Sequence, residues 1–140
     1  MEVSFNLTHV FYPTSDTQAD SYVLKALLDA LIKIDLAYLR AHAVPSLYSS
    51  GVRYGRTTLW EPIPEVIDRG YGDCKSLAAW RVAELLRQGV AARVVHRWMI
   101  RDGGGKLFHI LVQRTLPNGS VGYEDPSKTL GMGKDENAHF

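Results

Sequence analysis

Only one cysteine, Cys74, occurs in the chain, so no intramolecular disulfide can form. That fits a reducing compartment and leaves the thiol free for chemistry. An excess of one charge sign is also missing: 16 Lys and Arg face 15 Asp and Glu, a formal net charge of +1. Such a balance predicts no strong pull toward nucleic acid or an anionic membrane. No long apolar run is present either. The most apolar stretch, residues 23–44, is broken by Lys25, Asp29, Lys33, Asp35, Arg40 and His42, which argues against a membrane span. The first ten residues lack the basic run and apolar stretch of a signal peptide, so a cytoplasmic protein is expected. Internal repeats and low-complexity runs are absent as well.

What is there is an ordinary soluble composition, 46% hydrophobic and 22% charged over 140 residues. This is enough chain for one hydrophobic core and too little for a second domain. A single domain over residues 1–140 is expected, with its core at about 45–132 and a Gly-rich, polar, flexible tail from 131.

Hydrophobic periodicity divides that domain. Val3, Phe5, Leu7 and His9 alternate as in a half-buried strand ending before Pro13. Residues 20–43 predict a long, mostly buried helix with Val23, Leu27, Leu31, Ile34 and Tyr38 recurring every three to four residues. Residues 45–64, with three Pro and scattered aromatics, read as an ordered loop wrapping the core, and 64–68 as a short helix. A turn at 70–73 leads to a helix over 74–88 that Gly89 ends. The period then switches to two for strands at 94–100, 106–113 and 121–125, separated by turns at 102–105 and Pro117-Asn118-Gly119, with Pro126 ending the pairing. The fold class is α+β: a long N-terminal helix, then a Cys-bearing helix packed on a small antiparallel sheet.

Within this frame three residues suit nucleophilic chemistry. A thiol needs ionisation to attack, and the first turn of a helix favours the thiolate through its unbonded N–H groups and dipole. Cys74 occupies such a turn, behind Asp73 at the N-cap position, and shares a side with Ala78, Val82 and Leu85. His109 lies mid-strand with Leu107 and Leu111, as a base would, and Asp125 on the next strand is the carboxylate to orient it. Hairpin register decides that last assignment. A two-residue Asn118-Gly119 turn sets Asp125 opposite Val112, facing away from His109. A loop over 115–119, or a bulge of equal effect, sets Asp125 opposite His109, Leu111 opposite Tyr123 and Gln113 opposite Val121. The longer loop is expected.

Gly72-Asp73-Cys74 opening a helix, Gly89-Val90-Ala91-Ala92-Arg93 entering a strand, a strand His109 and Asp125-Pro126-Ser127 together resemble the transglutaminase-like superfamily. Ser49-Ser50-Gly51-Val52-Arg53-Tyr54 and Trp60 extend the similarity to short transglutaminase-like proteins of tailed phages and prophages, over about residues 45–132. The resemblance implies a papain-type core and an acyl transfer. Cys74 attacks a carboxamide, His109 protonates the leaving amine, a thioester forms, and an amine or water resolves it. It implies an oxyanion held by the Cys74 amide and a second donor, with Trp60 and Tyr71 the candidates, each donor supplying about 3 kcal/mol. A glutamine side chain or related amide in a protein or peptide is the implied substrate, and no cofactor is expected. Water as acceptor makes the chain a peptidase or deamidase instead. A third reading is a catalytically idle phage particle or assembly module, located in host cytoplasm or virion. Lys75-Ser76 stands where relatives often carry acidic residues, and no Trp follows His109; both departures bear on substrate choice.

Plainer roles compete at several positions. Cys74 can be a small buried hydrophobe and His109 a satisfied core histidine. Asp73 reads as a helix cap and Lys75 as a solvated helix lysine. Glu124, the rival carboxylate, faces away from His109 by strand parity, and Arg93 suits an internal ion pair. His9, His42, His96 and His139 lack metal-ligand spacing, so no metal is expected. The 103–105 glycines lead into a strand rather than a helix, unlike a phosphate loop. Tyr48, Tyr54 and Trp60 are expected to anchor their loop to the core.

Overall fold

A long helix opens the described part of the chain because Asp16 caps it, accepting the Ala19 amide at 3.0 Å. The structure is a computed structural model that describes residues 16–100, 102–103 and 106–133. The strand expected at residues 3–9 and the tail from 134 lie outside them. Helix α1 (Thr17–Ala41) ends where the His42 amide returns to Tyr38 O, and the His42 ring stacks on Tyr38 at 4.1 Å. It buries Leu24, Leu28, Leu31, Ile32, Asp35 and Leu39. The expected stripe is one position out of phase: Leu31 is shared, while Val23 is 45% exposed. Both stripes carry helical spacing, and packing chose the one with four leucines.

The next segment is ordered as expected but holds more structure than a loop. A 3-10 turn (Leu47–Ser49) leads to β1 (Arg53–Tyr54), then helix α2 (Ile63–Arg69) and β2 (Tyr71–Gly72), which pairs in parallel with β1. Two-residue strands carry no readable period, so sequence alone read 71–72 as a turn. Helix α3 (Cys74–Arg87) follows, and its C-terminus closes by Val90 N–H to Leu85 O at 2.9 Å and Gly89 N–H to Leu86 O at 3.0 Å. The φ of +81° at Gly89 makes this closure open to glycine above other residues.

Strands β3 (Ala92–Ile100), β4 (Lys106–Thr115) and β5 (Val121–Glu124) form an antiparallel sheet in that order, and α4 (Pro126–Thr129) follows directly. Ala78, Ala79, Val82 and Leu85 of α3 pack with Leu24 and Leu28 of α1 and with Ile110 and Val112 of β4. Losing one such leucine to alanine costs about 3 kcal/mol. A second core gathers Leu47, Val52, Ile63, Val66, Leu77 and Trp80 around the other side of α3. Helix α3 is thus buried on nearly all sides, and its N-terminus is held where the two cores meet. No helix among the described residues is long and apolar enough to cross a membrane.

Candidate active site

The hairpin between β4 and β5 sets the site. Leu116 N–H bonds Ser120 O at 2.8 Å and Gly119 N–H bonds Leu116 O at 2.9 Å, with Gly119 at φ +84°. This is a type of three-residue loop that ends in a left-handed glycine. The loop is longer than the two-residue turn, but the register is not the expected one: Gln113 faces Tyr123 and Thr115 faces Val121. The slip relative to expectation is two residues, which preserves parity. Asp125 therefore keeps the face of His109. It lies just past β5 rather than on it, as the N-cap of α4, where its Oδ1 accepts the Lys128 amide at 3.2 Å.

From that position Asp125 Oδ2 lies 2.9 Å from His109 Nε2. Burial alone would raise the Asp125 pKa, but the hydrogen bond and charge of His109 and the Lys128 amide outweigh it and hold the carboxyl below its usual range. An ionised carboxylate only accepts, so Nε2 carries the proton and donates it. His109 itself is 3% exposed.

Cys74 approaches from the other side of the sheet. Ile110 and Val112 are the β4 residues that pack on α3, and by alternation His109 points to the opposite face. Even-numbered β4 amides point toward β5, as Leu116 N–H does, but β5 pairs no further than Val112. The Ile110 amide is thereby left unpaired by β5, and it is one of the groups that lower the Cys74 pKa. The structure thus brings His109 and Asp125 into direct contact and packs Cys74 against the core cluster that includes Ile110, the residue after His109.

The electrostatics of Cys74 run against the helix-dipole expectation. Burial foremost, then the Asp73 charge, push the thiol up to about 12, against the lowering effects of Lys75 and the Ile110 amide. The side chain is nonetheless half-buried rather than sealed.

Two plain readings of its neighbours need correction. Lys75 is not solvated: it is 3% exposed and ion-paired with Asp73. Asp73 occupies the N-cap position, yet its side chain makes no cap hydrogen bond and turns to Lys75 instead. Glu124 does face away from His109. Its Oε1 accepts Tyr48 Oη at 2.7 Å and Arg81 Nε at 2.8 Å, and its Oε2 accepts Arg114 Nη1 at 3.1 Å. Burial would raise Glu124, but Arg81, Tyr48 and Arg114 bring it down to about 2. Periodicity carries no signal for this cluster, because its members come from distant segments.

Of the oxyanion candidates, Trp60 packs against the same core as Cys74. Tyr71 is 36% exposed and lies under Arg69, whose guanidinium is 5.5 Å from its ring centroid. Tyr48 and Tyr54 anchor their segment to the second core. Arg93 is exposed and donates to Gln113 Oε1 rather than to a carboxylate. His96 meets Ser21 Oγ at 3.1 Å, and among the described residues no cluster of His, Cys, Asp and Glu is able to hold a metal.

No family model and no curated protein matches the chain. Among solved structures it is similar to the periplasmic domain of TgpA from Pseudomonas aeruginosa bound to ethylmercury, with a TM-score of 0.44 and 20% identity. The match covers 91% of this chain and 50% of that one, so the chain spans about half the length of that structure. At this identity and TM-score the likeness carries no functional inference.

Proposed function

We propose that the chain is a cysteine-dependent acyltransferase of transglutaminase-like type, which forms a thioester on Cys74 from the carboxamide of a glutamine side chain or a related protein or peptide amide. The observation that carries this reading is the 2.9 Å His109–Asp125 bond, together with a cysteine thiol near enough for the Asp125 charge and the Ile110 amide to act on it.

With Nε2–H given to Asp125, Nδ1 of His109 is the nitrogen for proton exchange with the sulfur. Since the thiol is pushed up to about 12, attack is coupled to proton transfer: Nδ1 takes the Sγ proton as sulfur bonds the amide carbon. The tetrahedral oxyanion meets the Cys74 amide, which the helix leaves unbonded as its first residue, with Trp60 or Tyr71 as second donor. The imidazolium then gives its proton to the departing nitrogen, ammonia leaves and the thioester remains. An amine resolves the thioester to a new amide, and water resolves it to an acid, the deamidase or peptidase outcome. Asp125 holds the ring in the useful tautomer throughout.

The raised thiol pKa specifically favours a second reading, a catalytically idle module, for instance of a phage particle, that retains the arrangement without turnover. Mass spectrometry after iodoacetamide treatment near pH 7 separates the two. An active site alkylates Cys74 at least about tenfold faster than the His109→Ala variant. Equal, slow rates in both proteins would leave the idle module.

A further inference from the structure

Lysine on a helix surface ordinarily keeps its ammonium in water, but Lys75 is 3% exposed. Its Nζ pairs with Asp73, donates to the main-chain oxygen of Thr57 at 3.2 Å and lies 5.6 Å from the Trp60 ring centroid. An ammonium has three N–H groups, and a carboxylate, a carbonyl and a π face meet them. Two of these partners belong to one stretch of chain without regular structure, between β1 and α2. The next helix residue, Ser76, holds the same stretch further on: its Oγ accepts the Glu61 amide at 3.2 Å. Glu61 is in turn gripped by Arg69 Nε and Nη2 at 2.9 and 3.0 Å. Consecutive side chains next to Cys74 therefore tie down residues 57–61 against the first turn of α3.

We propose that Lys75 is a positioning residue that clamps residues 57–61, Trp60 included, beside the entrance to Cys74, so that this segment limits the size of the group reaching the sulfur. Asp73 raises the thiol pKa and Lys75 lowers it, so the pair holds the segment while its opposed charges offset one another at the nucleophile. The use of the clamp in substrate selection rests on the proposed function, whereas the clamp itself does not.

The test is parallel alkylation of the full chain by small iodoacetamide and by bulky N-(1-pyrenyl)maleimide, read as the ratio of the two rates. Both reagents attack through the thiolate, so the ratio cancels the thiolate fraction, and in Lys75→Met it is expected to rise about tenfold in favour of the bulky reagent. Lys75→Arg keeps the charge and stays near the wild-type ratio. Lys75→Met leaves Asp73 buried without a cation, so Asp73→Asn/Lys75→Met supplies a variant without that burden. A raised ratio in the double variant, together with faster hydrogen exchange over residues 55–61 and unchanged exchange in β3 and β4, upholds the clamp. A ratio back at the wild-type value makes Lys75 only the counterion of Asp73 and overturns it, as does unchanged exchange over 55–61. His109→Ala is expected to slow both reagents together, so failure of the proposed function reads out in the absolute rates and failure of the clamp in the ratio.

Discussion

Glu124 and Asp125 are adjacent in the chain and serve opposite faces of the sheet. Asp125 reaches His109 at 2.9 Å, while Glu124 binds Arg81, Arg114 and Tyr48. Strand alternation separates the two carboxylates, and the three partners of Glu124 tie the end of β5 to α3, to β4 and to the 3-10 turn. The backbone that aims Asp125 is thereby anchored one residue upstream.

Glu124→Gln loses the charge that two arginines share. The side chain is 20% exposed, so solvent screening brings the loss below that of a fully buried broken pair, and about 2 kcal/mol is expected from urea unfolding at pH 7. The folded pKa of about 2 lies below the ordinary 4.5, so the unfolded chain takes up this proton more readily. Wild type therefore loses the contribution of Glu124 as pH falls from about 4.5 through about 2. Glu124→Gln should show a flatter acid limb, and an identical one would remove Glu124 from the account.

Asp35 behaves in the opposite sense. It is fully buried, its Oδ1 accepts the Ile63 amide at 2.9 Å, and Oδ2 makes no hydrogen bond among the described residues. Burial foremost raises its pKa well above 3.8. The unfolded chain thus ionises first, and stability is lost as pH rises above 3.8 through the folded pKa. Asp35→Asn keeps the acceptor and discards the ionisation, so it should match or exceed wild type at pH 7. Asp35→Ala, which strands the Ile63 amide, should cost about 2 kcal/mol. A destabilised Asn variant would mean that Asp35 is held as an ion.

Cys74 supplies an alkaline counterpart. Its folded pKa of about 12 exceeds the ordinary 9.0, so its contribution is complete below pH 9 and declines as pH rises toward 12. Between pH 7 and pH 10 wild type should lose about 1 kcal/mol more than Cys74→Ser. Parallel losses in the two proteins would show that the thiol is not depressed in acidity by its surroundings.

Asp125→Asn removes the acceptor that fixes the His109 tautomer. Cys74 alkylation near pH 7 is expected to slow about tenfold or more, with melting nearly unchanged because an asparagine still caps α4. Unaltered alkylation would leave Asp125 as a helix cap and nothing more.

Local chemistry determined much of this protein. Apolar period placed α1, α3 and the three sheet strands within a few residues, because periods of 3.6 and two are set by side-chain direction along each element. Cys74 at a helix start and His109 mid-strand were legible for the same reason. The burial phase of α1 was not, since Val23 and Leu24 fit the helical repeat equally well and only contact with α3 and β4 distinguishes them. Nor was the β4–β5 register, which depends on a three-residue loop ending in left-handed Gly119 and brings Asp125 to His109 from a helix cap. Tertiary structure alone decided that Lys75 and Asp35 are buried, because the desolvation of a charged group depends on what the rest of the chain lays over it, and neighbouring residues in sequence do not carry that information.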